Sequence, residues 1–540
     1  MWEDILVKDF KELSVFVECS TGSTPTVATL RKYIDILSAF GYTHLYLGLT
    51  DAYKIEGEPY FNFCRGGYTT EDLQEIDAYA ETKGMELRVS FQTLAHLAYM
   101  TRYDCYRSMF DTDDILMVGN EKAYEFIDKM FATLSKGVRS RTIHIGMDEA
   151  FRLGLGRYLE ENGYKPRREL FLEHLNRVIT IAKKYGLFCE MWSDMFFRMA
   201  QGSDFNDSGI IPADVKDSIP EGVRLVHWTY LKQTDEVLTN QLRMNKAICD
   251  DLTLAGCAWK SLGLAPNNKY SIEVTEKQLR ICREQEVDKF MVTLWSDAGA
   301  HCSIFSVLPT LFATAEMARG KAYTEINKEE FKKIVGVSYD DFMLLDNLNN
   351  PFFKDLERIN TRCYWGLLSD IFMGSYDLLL DEKSNEAYAA LAKRYEAVSN
   401  GEYELLFRNF ILYSKVLSTK MNIGVQVRKA YREGDKEALR RYATADIPKM
   451  ISDMEAFMDN FDAWWLWENM AFGLEVHHLY YGGQVARWKY EAKRILQYLE
   501  DGQPIGELER EELLPCIIPQ THEDHCFEMN HRYLISHCGF

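Results

Sequence analysis

Eight short β-rich runs that alternate with amphipathic stretches between Leu13 and Ala300 predict an α/β protein built on a (β/α)8 TIM barrel. Eight is the number of strands that closes such a barrel. After each run the sequence turns polar or aromatic, as expected where parallel strands deliver their carboxyl ends to one mouth. The almost wholly helical periodicity that follows predicts an α-helical C-terminal domain.

The first run, 13–18, precedes a helix over 26–40, in which Leu30, Tyr33, Ile34 and Leu37 share one face at a period of 3.6 and Gly41 supplies the stop. Runs 44–49, 86–91 and 142–147 precede helices over 71–82, 122–134 and 169–184. Runs 188–192, 224–228, 253–259 and 290–295 complete the set, with a helix over 275–286 between the last two. A final barrel helix over 303–321 closes a domain of residues 1–334. Helices over 385–398, 403–415, 447–461 and 464–499 form the second domain, 335–540. Its Trp464, Trp465 and Trp467 read as helix packing or as a dimer contact, so a homodimer stays open.

The 540 residues are 47% hydrophobic and 27% charged with 12 prolines, enough apolar surface for two cores and too few breakers for long disordered tracts. A formal charge of -20 repels nucleic acid and anionic membrane surfaces, which excludes both as partners and favours a neutral substrate. The first ten residues have neither a basic start nor an apolar run, and no stretch reaches the length of a membrane span. The 12 cysteines are scattered without a Cys-x-x-Cys pair, so the expectation is a reduced, cytoplasmic protein. Cys526, His531 and Cys538 are the nearest approach to a zinc spacing, and no metal site is expected.

The run Thr142-Ile-His-Ile-Gly-Met-Asp148-Glu149-Ala150 ends in two adjacent carboxylates, with Gly146 allowing close approach where the polar residues begin. Adjacent acids on an extended chain point in different directions but cannot flank a sugar from opposite faces, unlike the usual pair of glycosidase carboxylates roughly 5 to 9.5 Å apart. Two charges so close raise one pKa, which suits an acid that must hold its proton near neutrality. The plain alternative is that Asp-Glu caps the next helix. Other run endings supply Glu18, Asp51, Gln92 with His96, Trp192 with Asp194, Trp228 with Tyr230, Trp259 with Lys260, and Trp295 with Asp297. Trp-Ser-Asp occurs twice, at Trp192 and Trp295, pairing an indole that binds a pyranose face with a carboxylate that accepts from hydroxyls.

His144-Ile-Gly-Met-Asp148-Glu149 resembles the His-x-Gly-x-Asp-Glu signature of glycoside hydrolase family 20, the exo-acting β-N-acetylhexosaminidases. Gly67-Tyr68-Thr69, Tyr79-Ala80 and Gly84-Met85 resemble the segment before that family's third strand, Leu49-Thr50-Asp51 its second-strand acid, and Trp295-Ser296-Asp297 its final Trp-x-Glu. The resemblance runs in motif order over about 320 residues. It implies hydrolysis of terminal β-linked N-acetylglucosamine or N-acetylgalactosamine from a small glycan, in which the acetamido carbonyl attacks the anomeric carbon and forms an oxazolinium ion. By resemblance Glu149 is general acid and then base, Asp148 orients the acetamide, and Tyr230 donates to its oxygen. Trp192, Trp228 and Trp295 wall the methyl group, while His96 and Asp51 form a pair supporting Glu149. No metal or organic cofactor is implied. The chain departs from the family pattern in three places. Glu18 stands where the family has a sugar-gripping arginine, Asp297 replaces a glutamate, and the third-strand motif keeps only His96.

Two rival readings remain at this stage. One is a conventional retaining glycosidase with Asp194 or Asp297 as nucleophile; the other is a sugar-binding barrel without catalysis, against which the adjacent acid pair speaks.

Overall fold

The computed structural model describes residues 10–20, 22–201, 219–261, 263–297, 300–354 and 361–510. Cys526, His531 and Cys538 lie outside them. Eight parallel strands close in sequence order: β1 Glu12–Glu18, β2 His44–Gly48, β3 Glu86–Ser90, β4 Thr142–His144, β5 Phe188–Trp192, β6 Val223–Trp228, β7 Leu252–Cys257 and β8 Lys289–Leu294, with β8 pairing to β1. The expected TIM barrel is therefore the observed one.

The longer barrel helices are α1 Val27–Phe40, α2 Thr70–Thr82, α3 Glu121–Gly137, α4 Arg167–Lys184, α5 Asp235–Ile248, α6 Asn268–Glu284 and α7 Leu308–Ala318. Their ends obey local chemistry. The Thr26 hydroxyl accepts from the Thr29 N–H at the start of α1, and Gly41 ends it at φ 95°, a left-handed conformation that costs glycine nothing. Thr69 and Asp72 form a reciprocal capping box on α2.

Strand β4 is shorter than the 142–147 run predicts. It leaves the regular ladder after His144 because Gly146 and Met147 take φ 68° and 69°, and because side chains receive their N–H groups. This early stop is what frees the acids at the strand's end.

Side chains from the strands' amino-terminal halves fill the barrel's lumen with charge. Arg88 on β3 donates to Glu12 on β1 at 2.8 Å and reaches Glu190 on β5 at 3.3 Å; Tyr46 on β2 donates to Glu190 at 2.8 Å. Arg224 on β6 joins Glu190 and Asp251, and Lys289 on β8 joins Asp251 and Glu12. Partners on strands that are not neighbours must span the interior, so these groups form a floor. Phe16, Tyr46, Trp192, Val226, Ala255 and Met291 make a buried cluster in the barrel, with Trp228 and Trp295 packed on it.

The chain divides into two compact units: residues 1–258, 272–295 and 311–326 in the first, and 259–271, 296–310 and 327–540 in the second. The second unit takes in segments that follow β7 and β8 as well as the helical C-terminal part. Its long helices are α8 Ser384–Glu396, α9 Glu404–Glu433, α10 Ile447–Glu468 and α11 Leu474–Asp501. The break between the last two falls at 469–473, where Asn469 is extended and Gly473 left-handed, and not at 462–463 as the periodicity predicts. Trp464, Trp465 and Trp488 are fully buried within this unit, and Trp467 packs against Phe305 at 5.4 Å. The Lys420 ammonium is buried there, donating to the carbonyls of Gly366 and Ser369 at 3.0 and 2.6 Å; burial pulls it down to about 8 despite Glu491 and Asp370 nearby.

Candidate active site

Beyond β4 the backbone makes a turn that side chains of both flanking strands support. Met147 and Glu149 hold φ 69° and 50°, conformations that cost a residue with a Cβ about 1–3 kcal/mol. From the segment after β3, the Gln92 carbonyl accepts the Met147 N–H at 3.3 Å. From the end of β5, Asp194 Oδ2 accepts the Glu149 N–H at 3.0 Å. Gly146 is required between them, since a Cβ there would lie 2.0 Å from Gln92 Oε1.

On this turn the acids meet one histidine. His96 Nε2 lies 3.2 Å from Asp148 Oδ2 and 3.5 Å from Glu149 Oε2, while the Gln92 amide nitrogen donates to Asp148 Oδ1 at 3.0 Å. Burial opposes charge on His96, but Asp148 and then Glu149 outweigh it and raise the imidazolium to about 9. The same contact acts on Asp148, where burial pushes the carboxyl up and His96 with Gln92 brings it below its ordinary value. Asp148 is therefore not the carboxyl of the pair that adjacency raises, because the His96 cation lies 3.2 Å from it.

His144 is fully buried beside Trp192, ring centroids 4.5 Å apart, and desolvation lowers it to about 3. Its Nδ1 accepts from the Gly146 N–H at 3.2 Å and meets the Ser90 hydroxyl at 3.1 Å, so it stays a neutral prop beneath the turn. The aromatic residues also assemble. Trp192 and Trp295 lie 5.9 Å apart, Trp228 stacks on Tyr230 at 5.2 Å, and Tyr230 is 6.5 Å from Trp295. Trp192 is 1% exposed and belongs to the core cluster, whereas Trp228, Tyr230 and Trp295 are partly exposed. Burial raises the Tyr230 phenol well above its ordinary value, so it remains a hydrogen-bond donor.

The expected pair of Asp51 and His96 is not formed. Asp51 is buried and ion-paired with Arg65, whose Nε is 2.8 Å from Oδ2 and whose Nη2 is 3.1 Å from Oδ1. The guanidinium hydrogen-bonds Oδ1 and faces Oδ2 as an ion pair, so Asp51 is held by Arg65 and His96 is left to the acid pair. Burial still pushes Asp51 up to about 6, against Arg65. Arg65 also donates to the Ser20 carbonyl, and Glu18 accepts from the Ser20 hydroxyl at 2.9 Å, so both are tied into the segment that follows β1. Asp297 is exposed and belongs to the second compact unit.

Arg65 was not marked by any run, and for Gln92 and Asp194, which stand at run endings, the part they play was not legible from residue type. Arg65 arrives from a loop rather than a strand end, and Gln92 and Asp194 act on backbone groups two strands apart. Asp194, 2% exposed and bonded to a backbone N–H, braces the turn instead of standing open as a nucleophile. His96, Asp148 and Glu149 bring one donor atom each within 4.8 Å, a spacing a divalent cation could use. When protonated, the His96 ring itself serves as the cation for these two carboxylates, and a metal ion would have to displace that proton to reach Nε2.

The carboxyl ends of a closed parallel barrel are where such folds do their chemistry, which places this chain among barrel proteins with a carboxylate and imidazole centre at the mouth. More particularly, it belongs to glycoside hydrolase family 20: residues 25–242 match the model of the glycosyl hydrolase family 20 catalytic domain, and residues 340–526 match that of the Glycoside Hydrolase 20C C-terminal domain. Among solved structures it is similar to a GH20 exo β-N-acetylglucosaminidase from Vibrio harveyi in complex with N-acetylglucosamine, at 15% identity and a TM-score of 0.47 over 62% of this chain and 58% of that one. It is also similar to a GH20 β-N-acetylhexosaminidase from Streptomyces coelicolor A3(2), at 16% identity and a TM-score of 0.43 over 63% and 69% of the two chains. A β-N-acetylhexosaminidase from Bacteroides fragilis NCTC 9343 matches at 18% identity and a TM-score of 0.44 over 60% and 69%. The chain thus spans less than two thirds of the Vibrio harveyi protein's length, 58%. Comparison with curated proteins finds no match.

Proposed function

We propose that this chain is an exo-acting β-N-acetylhexosaminidase that removes terminal non-reducing β-linked GlcNAc or GalNAc from small glycans by a retaining, substrate-assisted mechanism. The observation that carries the reading is the shared histidine: one His96 nitrogen lies 3.2 Å from Asp148 and 3.5 Å from Glu149, so both acids address the substrate from one side. A carboxylate nucleophile across the ring is then absent from the pair, and the substrate's own acetamide takes that role.

In this mechanism Glu149 protonates the glycosidic oxygen as the acetamide oxygen closes on the anomeric carbon, and then takes a proton from the water that opens the oxazolinium ion. Asp148, ionised, accepts from the acetamide N–H and stabilises the positive charge that develops there. Tyr230, which keeps its proton, donates to the acetamide oxygen, and Trp228 with Trp295 encloses the methyl group. Asp194 bonds a backbone N–H and is buried, which favours this route over a conventional nucleophile at that position. The nine described cysteines carry free thiols, in keeping with a reducing, cytoplasmic setting.

The test is release of p-nitrophenol from the β-N-acetylglucosaminide, the β-N-acetylgalactosaminide and the plain β-glucoside, with a thiazoline analogue as inhibitor. Turnover of acetamido sugars alone, blocked by the thiazoline and lost in Asp148→Asn and Glu149→Gln, is expected. Equal turnover of the glucoside would refute substrate assistance.

A further inference from the structure

We propose that Gln92 is the positioning residue for Asp148, holding this carboxylate in one orientation with a donor that has no proton to lose, so that the acetamide-orienting group keeps its alignment while its neighbours titrate. The inference rests on the reading of Asp148 given above and concerns how that residue is kept fit for its role.

Both ends of one planar amide are engaged at the turn. The nitrogen donates to Asp148 Oδ1 at 3.0 Å and the oxygen accepts from the Met147 N–H at 3.3 Å, so the two partners assign the amide's orientation. Rotation of the amide would break both bonds. Gly146 leaves the space this side chain occupies, since a Cβ would approach Oε1 to 2.0 Å. The division of labour at Asp148 is clear: Oδ2 faces His96 and Oδ1 faces Gln92. His96 alone cannot set the carboxylate's angle, because its single Nε2 also reaches Glu149. The ionisable groups around Asp148 are His96 from the segment after β3, Glu149 beside it, His144 on β4 and Tyr230 after β6, with Asp194 from β5 on the adjoining N–H. Each can change charge at some pH, whereas the Gln92 amide cannot.

Gln92→Glu separates alignment from bracing. The introduced carboxyl keeps the side chain's length and an oxygen for the Met147 N–H, and replaces the amide donor by a group that donates only when protonated. While the two carboxyls share a proton, the introduced group can still donate to Asp148 and the alignment is kept, with kcat lowered by the share of that proton that Asp148 itself carries. As pH rises through the pair's upper titration both ionise and repel, and the alignment is lost. The expected result is a new alkaline limb in kcat, at least tenfold deep, with KM changed less than threefold and with the limb below the pH at which His96 loses its proton. Gln92→Met, which removes both bonds, should lower kcat at every pH without a new limb. Thermal melts of both variants establish that each is folded.

A second readout does not depend on turnover: the side-chain carboxyl 13C resonance of Asp148, assigned by its loss in Asp148→Asn, should show an added, higher titration step in Gln92→Glu. An Asp148 titration and a kcat profile that both follow wild type would overturn the proposal. So would a pH-independent loss matching Gln92→Met, which would make Gln92 a backbone brace only. If wild type hydrolyses no acetamido sugar and the added 13C step nevertheless appears, the control of Asp148 by Gln92 stands and the assigned function falls.

Discussion

At the residue scale, the site is governed by which cation sits beside which acid. The adjacent acids were legible in the sequence because they are neighbours in the chain, as was the histidine. The pairing was not, because Arg65 reaches Asp51 from a loop position that no strand pattern marks. Asp148→Asn removes the nearer of the two charges that hold His96 at about 9, so its imidazolium should titrate toward the ordinary value near 6.5. A histidine-detected NMR titration measures this, and kcat on acetamido substrates should fall about 10²- to 10³-fold. The linkage has a definite sign. His96 binds its proton more tightly folded than unfolded, so its contribution to stability is complete below about 6.5 and is lost as pH rises through about 9. Denaturant midpoints should decline across that window in wild type and decline less in His96→Gln.

At the scale of elements, most strands begin and end within a residue or two of the runs that predict them, because a buried parallel strand is written as a continuous apolar run. Strand β4 is the exception, and its reason lies in a side chain from the segment after β3: Gln92 takes a backbone N–H that the ladder would otherwise use. Gly146→Ala tests this directly. It forces a Cβ into a left-handed residue and onto Gln92, and should cost at least about 1–3 kcal/mol in a thermal melt. Loss of kcat beyond what instability explains is expected, since the acids ride on the same turn. Helix α9 shows the opposite override. Its periodicity weakens after 415 and it contains Gly424, yet it continues to Glu433 because Val416, Leu417, Ile423 and Val427 stay on a buried face.

At the scale of the whole molecule, two cores are built on different terms. The first unit has charges in its lumen, and removing one partner leaves a buried donor unmatched: Glu190→Ala takes the acceptor of the Tyr46 hydroxyl and one of the carboxylates of Arg88, which keeps Glu12, and should cost about 1–3 kcal/mol. The second unit is aromatic at its centre, and Trp488→Ala should cost about 3–5 kcal/mol through the cavity it leaves. The two residues lie in separate compact units and share no partner, so the double variant's loss should equal the sum within about 0.5 kcal/mol, by chemical denaturation. The floor of Glu12, Arg88, Glu190, Arg224, Asp251 and Lys289 has a further consequence for traffic. With the far end stoppered, what enters by the mouth must leave by the mouth. On the proposed mechanism the departing alcohol goes first, the water that finishes the reaction follows it in, and the freed monosaccharide leaves last, obstructing the next substrate while it stays. Released N-acetylhexosamine should therefore inhibit competitively, raising KM and leaving kcat untouched.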